Sequence, residues 1–231
     1  MTKEDYQLVD LHLHSHHSRH AGEKQTPKSA YSADYYLTQL KKHNVGAFSF
    51  TDHDVFSELF YLELKGLIER INDRKIAIFP GVEFRIRSTN PKADCNFIFN
   101  NDLDLARLEK LKLLVRELQN KQGADLNLLV KEFKKAEFDF FIIPDVGKSG
   151  KCSFEDFENV LADVRYVEVN QGKENRLSKA IKSRLNNDYK QVFFSDCHDI
   201  KKYDKYCSKT KIKIPKDQLI TFEDLKTQLY L

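Results

Sequence analysis

Five of the chain's eight histidines fall within residues 10–22, DLHLHSHHSRHAG: His12, His14, His16, His17 and His20. Such crowding suits a solubilising tract, a His-rich turn, or half of a metal site completed from far along the chain. On a strand, residues i and i+2 point to the same side. His12 and His14 would therefore present two imidazoles on one face, as chelation of a single ion requires. Three further stretches place ligand-type residues late in apolar runs: Asp52 and His53 in SFTDHDV, Glu83 in FPGVEF, and Asp196 and His198 in FFSDCHD. Each also has a plain structural reading, as a local hydrogen bond or a solvent-facing edge residue. Glu is nevertheless seldom buried unless it is paired or bound to metal. Asp196 and His198 repeat the i, i+2 spacing with one oxygen and one nitrogen donor. That mixture suits Zn²⁺, Mn²⁺ or Fe²⁺ better than Ca²⁺.

The elements that must position these residues are legible as two alternating patterns. Runs rich in Phe, Val, Ile and Tyr predict strands at 7–14, 45–53, 75–86, 93–100, 138–146, 165–171 and 190–198. Between most of them, apolar residues recur at helical spacing, at 32–44, 57–73, 103–120, 126–137, 153–163 and 174–188. In the first of these helices Tyr36, Leu37 and Leu40 share a face, and Ser32 and Ser57 are candidate N-caps. Seven strands alternating with helices point to a parallel sheet in a single domain spanning residues 1–231. The pattern alone does not choose between an open sheet and a barrel. The polar residues do favour one: they gather at the C-terminal ends of successive strands, with Asp145 ending the fifth, which is the barrel arrangement.

Composition bounds the rest. The 231 residues are 41% hydrophobic and 32% charged, with a formal net charge of +3, too small to argue strongly for a polyanionic partner. No apolar run of membrane-spanning length and no signal-peptide pattern is present, so a cytoplasmic protein is expected. Cys95, Cys152, Cys197 and Cys207 lack CxxC spacing and read as reduced thiols. The GKS of DVGKSGK is not a phosphate-binding P-loop, because the glycine required upstream is replaced by Ile142. Lys148 and Lys151, in the same stretch, remain candidate contacts for a substrate phosphate.

In their order, DLHLHS, TDHD, PGVE and SDCHD resemble the motifs of the PHP (polymerase and histidinol phosphatase) superfamily, and the resemblance runs from about residue 8 to the end. It implies a distorted (β/α)7 TIM-like barrel with a two- or three-metal site at the C-terminal rim, and hydrolysis of phosphoesters. Carried over residue by residue, it implies that His12, His14, Glu83 and Asp196 hold one ion, and His20, His53 and His198 a second. The third site departs from the family pattern, with Asn96 and Asp145 where histidines are usual; Asp145 can still ligate a metal through oxygen, whereas Asn96 is a poor ligand. Two divalent ions (Zn, Mn or Fe) are therefore expected, with a third weak or absent and Asn96 beside the ligands instead of among them. Glu83 would bridge the ions, His53 or His198 would fix the second, Asp52 would orient a ligand or carry a proton, and Asp10 would orient a ligating ring. The C-terminal stretch KIKIPKDQLITFEDLKTQLYL and YVEVNQGKENR are similar to PHP modules joined to ABC- or SMC-like ATPases. This implies a nuclease acting on DNA or RNA with such a partner, in DNA maintenance or anti-phage defence. The alternatives are a small-molecule phosphomonoesterase of the histidinol-phosphatase type and an inactive docking module.

Overall fold

The computed structural model describes residues 6–18, 31–71, 75–88, 93–120, 124–147, 152–169 and 189–231; the helix expected at 174–188 lies outside them. In chain order the elements are β1 (Gln7–Leu13), α1 (Ala33–Lys42), β2 (Val45–Phe50), α2 (Glu58–Arg70), β3 (Ala77–Arg85), β4 (Asp94–Phe99), α3 (Leu105–Asn120) and α4 (Leu126–Lys135). There follow β5 (Phe140–Pro144), α5 (Phe154–Phe157), β6 (Tyr166–Glu168), β7 (Lys190–Val192), α6 (Tyr203–Tyr206), β8 (Lys211–Ile212) and α7 (Phe222–Thr227). Ser32 caps α1 by accepting from the Tyr35 N–H, and Tyr36, Leu37 and Leu40 are buried on one face. Ser57 precedes α2 but makes no side-chain capping bond.

The strands form a curled six-stranded sheet, ordered β5-β4-β3-β2-β1-β8, and a two-stranded sheet, β6-β7. Backbone bridges Ile142–Val164 and Asp145–Glu168 join β5 to β6, and Leu13–Cys197 joins β1 to the chain beyond β7. The result is a mixed α/β, barrel-like wall. It departs from the strict alternation expected in two ways. Eight strands are present among the described residues, and β4 runs antiparallel to both β3 and β5. Both α3 and α4 then intervene before β5. Because β4 is reversed, its beginning lies at the rim where its neighbours end, and Asn96 pairs with Glu83.

Alternation along each strand divides the core into two clusters. Leu13, Val82, Phe84, Phe97 and Ile142 pack outward with α1–α4. Val9, Leu11, Phe79, Ile98, Phe141, Ile143, Tyr166 and Phe194 pack inward. On β3 the inward phase 77, 79 continues to Gly81 and Glu83; on β4, Ile98 is followed towards the rim by Asn96; on β6, Tyr166 is followed by Glu168. β1 is the exception. Val9 and Leu11 face in, yet Leu13 faces out. A register irregularity between Asp10 and Leu13 accounts for the change of phase. It turns His12 and His14 inward, above the apolar layer. The opposite end of this interior is floored by Ile212, Ile220, Phe222, Leu225 and Leu229. Phe222 lies 5.4 Å from Phe141 between ring centres, and Tyr166 donates its hydroxyl to the Leu225 carbonyl at 2.7 Å.

Gly81 sits where three strands crowd together. A Cβ there would lie 2.1 Å from Ser49 Oγ, 2.9 Å from Thr51 Cγ2 and 3.3 Å from the Phe97 carbonyl oxygen. Ser49 and Thr51 are fully buried and have no room to give. Gly81→Ala is expected to destabilise the protein by about 1–3 kcal/mol, the usual cost of overpacking. Urea denaturation of the two proteins checks this, and an unchanged midpoint would show that the strands can move apart.

Candidate metal centre

The inward phase of the strands delivers a cluster of carboxylates and imidazoles to one rim. Two carboxylate oxygens stand at its centre, each faced by three imidazole nitrogens. Glu83 Oε2, on β3, lies 3.3 Å from His12 Nε2, 3.4 Å from His14 Nε2 and 2.8 Å from His53 Nδ1. Asp196 Oδ1 lies 3.4 Å from His12 Nε2, 3.3 Å from His14 Nε2 and 3.0 Å from His198 Nε2. The His14 ring stacks on His198 at 4.1 Å and on His53 at 4.5 Å. His12, His14 and Glu83 are almost wholly buried, whereas His198 is exposed.

The four separations that link His12 and His14 to the two carboxylates are longer than good N–H···O hydrogen bonds. They match another arrangement. Donors about 2.0–2.1 Å from a shared tetrahedral ion stand about 3.3–3.4 Å from one another. The ligand atoms of His12, His14 and Asp196 lie within 4.8 Å of one another, as do those of His14, His53 and His198. These groups suit a divalent metal. Burial lowers the His14 pKa to about 4, although Asp196 and Glu83 pull it the other way. Its ring is thus neutral, the form that ligates. Burial alone would raise Glu83, but the neighbouring His12 and His53 outweigh it and hold the carboxyl well below its usual range.

Asp196 reaches its place by an unusual backbone. β7 ends at Val192, so strand spacing does not align Asp196 with His198 as the sequence suggested. Asp196 instead takes a left-handed conformation, φ 49°, and donates its N–H to the His12 carbonyl at 2.9 Å. Asp tolerates that region better than most residues, and such conformations recur at functional sites.

The supporting carboxylates fall differently from expectation. Asp10 is not among the carboxylates seen against His12, His14, His53 or His198 within the described residues. It accepts from the backbone N–H groups of Ser195 and His12 and from the Tyr203 hydroxyl at 2.7 Å, tying β1 to the segment that carries Asp196. Asp52 accepts from the Ser15 N–H at 2.6 Å and hydroxyl at 2.5 Å, which fixes the loop after His14. The carboxylate that does meet a ring is Glu168, fully buried on β6, with Oε2 2.7 Å from His12 Nδ1. Asn96 joins it, its Nδ2 3.2 Å from Glu168 Oε2 and 3.0 Å from His12 Nδ1. Sequence reading passed over Glu168. The available signal was a glutamate flanked by valines and sharing the inward phase of Tyr166. Asp145 enters neither ligand group among the described residues; its Oδ1 accepts the Gly147 N–H at 3.0 Å. His20, Lys148 and Lys151 lie outside the described residues. The four cysteines are free, and burial pushes the Cys95 and Cys152 thiols well up.

No protein-family model and no curated protein sequence matches the chain. Solved structures that share its fold include the following two. PsfC from Pseudomonas syringae PB-5123 superposes with a TM-score of 0.59 at 18% identity, over 98% of this chain and 91% of that one. A Bifidobacterium adolescentis ATCC 15703 protein, proposed to be a metal-dependent phosphoesterase, superposes with a TM-score of 0.53 at 13% identity, over 95% and 94%. At these identities the likeness is one of fold. Among the described residues, no helix is long and apolar enough to cross a membrane.

Two outcomes are expected from this geometry. Glu168 should hold the His12 proton on Nδ1 and leave Nε2 as the donor atom. Glu168→Gln is expected to weaken divalent-metal affinity about 10–100-fold, as loss of such orienting partners does; competition with a chromogenic chelator measures it. The second outcome concerns pH. Because His14 has a lowered pKa when folded, the unfolded chain takes up its proton first as pH falls. Metal-free protein should therefore lose about 3 kcal/mol through His14 between pH 6.5 and about 4. His14→Gln should remove that part of the pH dependence in denaturant titrations.

Proposed function

We propose that this chain is a metal-dependent phosphoesterase. The observation that carries the reading is the pair of carboxylate oxygens, on Glu83 and Asp196, each facing three imidazoles in a mostly buried rim. His12, His14, Glu83 and Asp196 would hold one divalent ion; His53 and His198, with His20 from outside the described residues, would hold a second, and Glu83 touches both groups. Divalent ions held there would supply Lewis-acid chemistry toward a phosphoryl oxygen and would lower the pKa of water.

The chain's own residues set up the reaction around them. Glu83, kept ionised by its imidazole neighbours, supplies a fixed negative charge. Glu168 and Asn96 orient His12. Asp10 joins the first strand to the segment bearing Asp196 and His198, so that ligands distant in sequence keep one geometry. Asp52 anchors the loop after β1 through Ser15. His198 is the exposed member of the cluster, on its solvent-facing side. The fold likeness to a protein proposed to be a metal-dependent phosphoesterase agrees with this reading. The substrate class we favour is the phosphodiester of DNA or RNA.

The test combines metal analysis with a substrate panel. Replacing His12 and His14 together by Ala should abolish both bound transition metal and hydrolysis of single-stranded DNA, RNA and a chromogenic phosphomonoester, assayed with Mn²⁺. Turnover unchanged in the double variant would refute the assignment. Less than one equivalent of metal in untagged wild-type protein, without activation by Mn²⁺, would identify a non-catalytic module.

A further inference from the structure

His16 and His17 stand outside both ligand groups. They line a cleft of about 510 Å³ walled by the loops after β1 and β2 and by α2 and α3. That volume lies in the range of small-molecule sites. The cleft begins where the metal centre ends. Asp54, in its wall, follows His53 and donates its N–H to the Glu83 carbonyl at 2.8 Å. The His17 N–H donates to Ser15 Oγ at 3.1 Å, the same hydroxyl that is held by Asp52.

The two sides of the cleft differ in character. One is aromatic and apolar. The His16 and His17 rings lie 4.0 Å apart and pack against Phe60 at 5.4 and 5.7 Å. Leu59 and Leu113, 80% and 53% exposed, stand in the same lining. Scattered exposed leucines need no explanation, but two lining one cleft form an apolar face suited to a ligand. The other side carries paired charges and one further cation. Lys112 and Arg116 are one turn apart on α3. Lys112 is engaged by Glu58 at 2.7 Å and by Glu109. Asp54 Oδ1 accepts the Arg85 N–H at 3.2 Å. The lining carboxylates thus already have partners, and among the described residues Arg116 forms no ion pair.

We propose that this cleft binds the nucleoside part of the substrate. The base lies against the histidine rings and the two leucines, and Arg116 holds a phosphate adjoining the one at the metal centre. The proposal rests on the phosphoesterase reading, which places the scissile phosphate next door. It assigns His16 and His17 to recognition and sets a nucleotide with two phosphates above a bare phosphomonoester.

Calorimetry on the full chain as purified tests this with hydrolysis-resistant probes: a nucleoside 5′-phosphorothioate, and a 5′-phosphorothioate dinucleotide with a phosphorothioate linkage. The dinucleotide is expected to bind at least tenfold more tightly than the mononucleotide. Arg116→Glu should erase that gap, and Leu113→Asp should weaken both probes at least fivefold, while Lys135→Glu, far away on α4, leaves both unchanged. A gap that persists in Arg116→Glu, or wild-type binding of both probes by Leu113→Asp, would overturn the proposal. Both substitutions are at exposed positions, so folding is not at stake. Binding of the probes by a protein that hydrolyses nothing would sink the phosphoesterase reading alone; hydrolysis without the expected binding pattern would sink the cleft alone.

Discussion

The arrangement depends on burying the negative charge of Glu83. An ionised carboxylate withdrawn from water is costly unless opposite charge or donors surround it. Here three imidazoles converge on one of its oxygens, and the protein has had to bring them from two strand ends, β1 and the chain just after β2. Gly81 must stay small for β2, β3 and β4 to close around that position. Asp10, Asp52 and Glu168 then hold the surrounding pieces in place. Most of the buried polar groups of the rim can be understood as supports for this one carboxylate and its partner, Asp196.

Much of this was legible because chemistry and periodicity coincide. Strands tolerate polar residues on the inward face only near a rim, so His12, His14, His53, Glu83, Asp196 and His198 stood out against apolar runs. The structure brings these six together. Within the described residues, the expected strand and helix segments also lie close to where the apolar patterns put them. The antiparallel β4 did not show, since a strand buried on both faces reads the same in either direction. The phase change in β1 was equally hidden: a bulge inserts a residue without any compositional mark when its neighbours are Leu and His.

The supporting carboxylates show where motif reading stops. Asp10 adjoins the HxH pair in sequence and was given the ring-orienting role, yet its oxygens serve two backbone N–H groups and a tyrosine hydroxyl. Glu168, distant in sequence from His12, takes that role because the bridges between β5 and β6 carry its strand into the same wall. Proximity along the chain is a poor guide to which carboxylate meets which ring. The inward phase of each strand is a better one.

The apolar floor has a consequence for the order of assembly. Phe222, Leu225 and Leu229 are synthesised after every strand they cover. During translation, β1–β7 emerge with the inner apolar layer uncovered on one side. Until α7 docks, Phe79 and Phe141 face water, and the ligand cluster sits above an unsealed interior. A chain lacking α7 would thus hold these ligand-type residues without the support beneath them, so the geometry of the candidate metal centre depends on an element that contributes no ligand to it.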